Sequence, residues 1–222
     1  MKNNPIQHTI ITPKTARYFQ LGEITAKTKY VWIACHGYAQ LANYFIKSFE
    51  SIVDEETVVI APEGLHRFYW EGFSGRVVAS WMTKVDRESD ITDYIHFLDR
   101  VTTEVLSKIT HPDIKLIAFG FSQGVAAVSR WVFNSIQHQP DELILWAGIF
   151  PDDFALHNEG TFKPTKPIVV LFGDEDEFYK IHDLEALKVK LKSFPFAFDF
   201  IEYKGGHKIE DLPLSQINRQ IK

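Results

Sequence analysis

The stretch that most constrains this chain is KLIAFGFSQGVAAVSRW, residues 115–131. Residues 116–119 form an uninterrupted apolar run, the mark of a strand buried on both faces. The run stops at Gly120, passes through Phe121, Ser122 and Gln123, and gives way at Gly124 to an Ala-rich segment of helical period. A serine in that setting sits on a sharp strand-to-helix turn, its backbone strained so that the hydroxyl stands clear of the sheet. Bulk two residues to either side would collide at such a turn, and both positions are glycine. The following helix aims its free N–H groups and positive dipole end at the hydroxyl, so the N–H of Gln123 can stabilise an oxyanion formed there. The bare pattern G-x-S-x-G arises by chance in about one chain in fifteen at average glycine and serine usage. The strand before it and the helix after it are what chance would rarely supply.

A chain of 222 residues can bury one sizeable core. No Pro/Gly/Ser-rich linker divides it, so residues 1–222 read as a single domain. A net charge of -5 without any block of Lys or Arg argues against a nucleic-acid partner or an anionic membrane surface. No apolar run approaches the roughly 18 residues that span a bilayer, and MKNNPIQHTI lacks the apolar core of an export signal. The expectation is a cytoplasmic protein with no stable membrane insertion, its partner a small molecule. Cys35 is the only cysteine, which excludes an internal disulfide and agrees with a reducing compartment. No feature of the sequence speaks to oligomeric state.

Along the chain, residues 8–12 and 16–21 read as two edge strands of a hairpin broken at Pro13-Lys14. Tyr30–Cys35 is a buried strand ending at His36-Gly37-Tyr38. Leu41, Phe45, Ile46, Phe49 and Val53 recur at helical spacing, and residues 57–60 form another buried strand closed by Ala61-Pro62. Residues 63–87 then hold neither period and read as an aromatic excursion over the strand ends. Phe68, Trp70, Phe73, Trp81 and Met82, with Tyr69 beside them, are candidate walls of an apolar substrate pocket, the alternative being a satellite core beneath a long loop. Arg67 and Arg76 read chiefly as solvated or structural. Ile91, Tyr94, Ile95, Leu98, Val101, Val105 and Ile109 mark a long amphipathic helix with Ser89 or Asp90 as its cap. After the 115–131 unit, Glu142–Trp146, residues 167–172 and Phe198–Tyr203 are further strands. Leu184, Leu187, Leu191 and Phe194 form a helical stripe, and a short helix near Leu214 closes the chain. Uniformly apolar strands alternating with helices describe a predominantly parallel sheet covered on both faces, an α/β class. Ligands bind such sheets at the carboxyl ends of the strands. His36-Gly37-Tyr38, Ser122, Asp176 and His207 all follow predicted strands.

A serine hydroxyl is a weak nucleophile and needs a base in hydrogen-bond reach, a role suited to histidine. Of nine histidines, His207 alone follows the last strand on a glycine-opened turn, Gly205-Gly206. The order Ser, Asp, His along the chain is the one this elbow uses. A carboxylate must hold the imidazole in one tautomer, and the loop of residues 174–177 offers four acids in succession. Asp176 is the candidate, with Asp174 as the alternative, because a side chain needs a few residues beyond the strand before it can turn back toward the base. A calcium loop does not fit, since no ligand series follows at the required spacing. The second oxyanion donor falls to the N–H of Tyr38, with Gly37 giving room. His36 reads as support for that loop, as HExxH and CxxC patterns are absent and no metal is expected.

HGY after a strand, APEGLHRF, ASWMTK, GFSQG, the GDED loop and GGH together resemble the phospholipase/carboxylesterase branch of the α/β hydrolases, which includes acyl-protein thioesterases. The likeness runs over nearly the whole chain. It implies the α/β-hydrolase fold, a triad of Ser122, Asp176 and His207, and an oxyanion hole from the amides of Tyr38 and Gln123. It also implies a cofactor-free hydrolase of carboxylic esters or thioesters. Two segments depart from the branch: Tyr38-Ala39-Gln40-Leu41-Ala42 replaces a glycine-containing loop, and Glu177-Phe178-Tyr179 replaces a Pro-containing one. Both bear on substrate choice. The alternatives are a non-catalytic small-ligand-binding protein on the same scaffold, a peptidase, and a Cys35 nucleophile. The last is disfavoured because Cys35 lies within a buried strand.

Overall fold

The computed structural model describes residues 5–155, 162–179 and 181–222, leaving out the first four residues of the polar start. Nine strands and five α-helices run in the order β1 (Tyr18–Leu21), β2 (Tyr30–Cys35), α1 (Ala42–Phe45), β3 (Thr57–Pro62), β4 (His66–Tyr69), β5 (Val77–Ser80), α2 (Arg87–Leu106), β6 (Lys115–Phe121), α3 (Gln123–Asn134), β7 (Glu142–Trp146), β8 (Ile168–Gly173), α4 (Ile181–Leu191), β9 (Phe198–Tyr203) and α5 (Asp211–Ile221) among the described residues. Seven strands form one sheet in the order β1-β3-β2-β6-β7-β8-β9, all parallel except β1, which pairs antiparallel with β3.

Alternation along the strands divides the interior into two cores. Val31, Ile33 and Cys35 of β2 belong to one core together with Tyr94 and Leu98 of α2, Trp131 of α3, and Leu187 and Leu191 of α4. Tyr30, Trp32 and Ala34 face the opposite layer, closed by α1, a following 3₁₀ stretch at Ile46–Ile52, and α5. Burial on both faces is why β2 is apolar at every position rather than at alternate ones. The α2 and α3 helices are also tied through a buried carboxylate. Asp99 accepts from the indole N–H of Trp131 at 2.8 Å and from the Ser135 hydroxyl at 2.6 Å, so its buried Oδ1 is paired twice. No helix among the described residues is long and apolar enough to cross a membrane.

Four expectations need correction. Residues 8–12 form no strand: the chain is exposed throughout 5–15, so no buried face fixes a register, and β1 stands alone at the sheet edge. The 41–53 helix is one short α turn passing into the 3₁₀ stretch, which still buries Phe45, Ile46, Phe49 and Ile52. The 63–87 excursion contains a regular antiparallel hairpin, β4 with β5, in the register Phe68 to Val78. Finally, the N-cap of α2 is Asp86 in a left-handed conformation. Asp90 is engaged elsewhere, one oxygen accepting from the Thr83 N–H at 2.9 Å and the other lying 3.0 Å from Nε2 of His66.

Candidate active site

After β2 the chain moves to β3 on one side, and only later returns to β6 on the other. The carboxyl ends of β2 and β6 therefore flank the point where strand order reverses, and such a crevice is where open parallel sheets present their ligands. Ser122 stands at that point with φ 53° and ψ -117°, a strained conformation for a residue with a side chain. Its N–H donates to the carbonyl of Trp146 at 2.9 Å, and its own carbonyl accepts from Val125 at 3.0 Å. The flanking glycines answer to crowding. A Cβ on Gly120 would sit 2.5 Å from the Gly124 carbonyl oxygen, and one on Gly124 would collide with the carbonyl of Cys35, across which α3 passes.

The loop after β2 lies against this elbow, since a Cβ on Gly37 would come 3.2 Å from the Cβ of Ser122. The Gly37 N–H donates to Oε1 of Gln40 at 2.8 Å. Ala39, at φ 59°, donates to the Ala79 carbonyl at 2.9 Å, and Ala79 donates to that of Gln40 at 3.1 Å, so the loop is stapled to β5. His36 is wholly buried. Its Nε2 accepts from the Gly64 N–H at 2.9 Å, so Nδ1 holds the proton and donates to the Gly37 carbonyl at 2.7 Å. Burial pushes its pKa down to about 4, which keeps it neutral and makes it the structural support expected of it. Among the described residues neither the Tyr38 nor the Gln123 N–H donates to a backbone acceptor, which leaves both amides available at the elbow.

His207 reaches the same rim from the other end of the sheet. Nδ1 lies 2.8 Å from Oδ2 of Asp176, whose side chain is buried and whose second oxygen accepts from the Phe178 N–H at 3.0 Å. Asp174 instead accepts from the Gly205 N–H at 2.9 Å and so closes the turn rather than facing the ring. The imidazole packs against Phe121, the residue before the serine, at 5.0 Å between ring centroids, and edge-on against Phe178 at 4.5 Å. With Nδ1 turned to the carboxylate, Nε2 is the nitrogen free to accept a proton. Among the described residues the Ser122 hydroxyl makes no hydrogen bond, and the bond to a base commonly tightens only when substrate binds. Cys35 is sealed in the core and burial raises its pKa, which holds it as an unreactive thiol.

Of the five residues expected to line a pocket, the structure brings Phe68 and Trp70 to one ring and places Phe73, Trp81 and Met82 elsewhere. Trp81 is fully buried, stacks beside His36 and donates its indole N–H to the His36 carbonyl at 2.8 Å. Phe73 is 97% exposed at the hairpin tip. Phe68 and Trp70 instead meet the ring of Tyr38, at 5.8 and 6.1 Å, and Met82 is half-buried against the α2 and α3 core. Arg67 and Arg76 are exposed on the hairpin. Sequence reasoning missed two glutamines. The Gln40 side chain braces the loop, and the Gln123 amide joins the elbow to β5, accepting from the Trp81 N–H at 3.2 Å and donating to the Ser80 hydroxyl at 3.1 Å. Among the described residues, no group of three or more His, Cys, Asp or Glu side chains is arranged to hold a metal ion.

No family model and no curated protein matches the sequence. Solved structures do match the backbone. An acyl-protein thioesterase 2 from Zea mays shares 18% identity over 93% of this chain and 98% of its own, with a TM-score of 0.67. Esterase PE8 shares 18% over 94% and 98%, at 0.65. The chain has the α/β-hydrolase fold. A Bacillus cereus carboxylesterase, 14% identical over 92% of each chain with a TM-score of 0.62, has the same hydrolase fold. Esterases and a thioesterase are the proteins that the motif resemblance to the phospholipase/carboxylesterase branch led one to expect.

Proposed function

We propose that this chain is a serine hydrolase acting on carboxylic esters or thioesters through an acyl-enzyme. The single observation that supports this most is the 2.8 Å pairing of His207 with a buried Asp176 at the rim that also holds the strained Ser122. As His207 Nε2 takes its proton, Ser122 Oγ attacks the acyl carbonyl, and the amides of Tyr38 and Gln123 hold the tetrahedral oxyanion. One such donor stabilises the transition state by about 3 kcal/mol. His207 then protonates the departing alcohol or thiol, water attacks the acyl-serine with His207 again as base, and the carboxylic acid leaves. Asp176 fixes the tautomer and balances the imidazolium. The enzyme works as a single domain without a cofactor, on a small-molecule substrate, in the cytoplasm.

The test is twofold. A fluorophosphonate probe labels the wild type and leaves Ser122→Ala unmodified, whereas an inert binding pocket leaves both unmodified. Hydrolysis of p-nitrophenyl esters of rising chain length, beside a panel of acyl thioesters, gives the preferred acyl group. Full esterase activity in Ser122→Ala overturns the proposal.

A further inference from the structure

His207 sits at the apex of a very tight turn. The N–H of Lys208 donates to the carbonyl of Gly206 at 2.9 Å, an i to i+2 bond that closes a γ-turn around the histidine. Isolated turns of this size are weak, so something must hold its two carbonyls. The hydroxyl of Tyr203, buried at the end of β9, lies 2.9 Å from the Lys208 carbonyl and 3.2 Å from that of Gly206. The indole N–H of Trp146 donates to the same hydroxyl at 2.8 Å and to the Lys208 carbonyl at 3.0 Å. The two rings pack at 5.0 Å. Burial pushes the Tyr203 pKa up to about 12, so the hydroxyl remains a donor through the neutral range.

Trp146 has a second attachment. Its backbone carbonyl is the acceptor for the Ser122 N–H at 2.9 Å. One residue at the end of β7 therefore grips the elbow with its main chain and the histidine turn with its side chain, the latter jointly with Tyr203. We infer that Trp146 and Tyr203 are positioning residues that set the separation of the Ser122 hydroxyl from the His207 imidazole. The inference rests on the serine-hydrolase reading. Neither residue touches substrate; each acts through the turn.

The experiment compares wild type, Tyr203→Phe, Trp146→Phe and the double variant. Each single change removes a hydrogen-bond donor and retains an aromatic ring. Steady-state kinetics on a p-nitrophenyl ester, the rate of fluorophosphonate labelling, and thermal unfolding are measured on each. A misplacement of about 1 Å can cost on the order of 100-fold. Each single variant is expected to lose roughly 10- to 100-fold in kcat and in labelling rate, with KM within about twofold. Because both act on one turn, the double variant should fall well short of the product of the single effects. A folded single variant with wild-type kcat and labelling rate overturns the inference, as does a loss confined to KM. Should Tyr203→Phe not fold, Trp146→Phe decides by the same readouts. Failure of both to fold also overturns it, since the pair would then be holding the sheet. A wild type that neither hydrolyses esters nor takes the probe sinks the hydrolase reading itself, an outcome separable from the others.

Discussion

Two aromatic-rich regions meet near Ser122 and are built on opposite terms. Around the histidine turn, Phe121, Trp146 and Tyr203 are buried, and every polar tip is paired with a carbonyl or a hydroxyl. In the β4–β5 hairpin, Tyr69, Trp70 and Phe73 stand half or fully in solvent, and the hairpin is held at its base by backbone bonds from Ala79. The two regions suit different kinds of work. Geometry that must be reproducible to a fraction of an ångström needs dense packing with satisfied hydrogen bonds. A surface that adapts to what it meets cannot be so constrained.

The two loop acids beside the histidine turn should differ most. Asp176→Asn should lower kcat by about 10⁴-fold, because the amide no longer holds the productive tautomer. Asp174→Asn, which weakens only the bond to Gly205, should cost about 10-fold or less. Ester hydrolysis assays on the pair decide it, and equal losses would mean that the two acids have been assigned wrongly. Next in size is truncation within the two aromatic regions. Trp81→Ala leaves a large cavity beside His36 and should cost about 3–5 kcal/mol in urea unfolding. Phe73→Ala should stay within about 0.5 kcal/mol, altering at most the preference for acyl length.

A third prediction concerns pH. His36 is held neutral with a folded pKa of about 4, below its unfolded value of about 6.5, so protons favour the unfolded chain in between. Its contribution is fully present above about pH 6.5 and declines as pH falls toward 4, by roughly 3 kcal/mol in all. Urea unfolding of wild type at stepwise pH should show this slope, and His36→Asn should flatten it. An unchanged slope would place the acid sensitivity elsewhere.

The sheet was legible from the sequence because strands buried on both faces leave continuous apolar runs, as in Tyr30–Cys35 and residues 143–146. The serine turn was legible for a different reason: close passage of backbone leaves room for no Cβ, and glycine records it at positions 120 and 124. What escaped reading lacked such a trace. The β4–β5 hairpin buries consecutive residues Val78 and Ala79 of β5 while β4 stays partly exposed, and its four-residue strands are too short to display a period. Residues 8–12 carry the β-branched pattern of a strand without any partner edge to bind it. The roles of Trp146 and Tyr203 depend on a pairing 57 residues apart in the chain, and a buried tryptophan reads the same whether or not its indole is holding a turn.

One consequence lies in how the hairpin joins the body. It is joined there by main-chain bonds at Ala79, by the side-chain amide of Gln123, which reaches Ser80 and Trp81, by Phe68 and Trp70 against the ring of Tyr38, and by His66 beside Asp90, and none of these draws on residues 71–76. Residues 71–76 can therefore be rewritten in descendants or by an engineer, like a jaw exchanged on a fixed vice, while the elbow beneath keeps its shape.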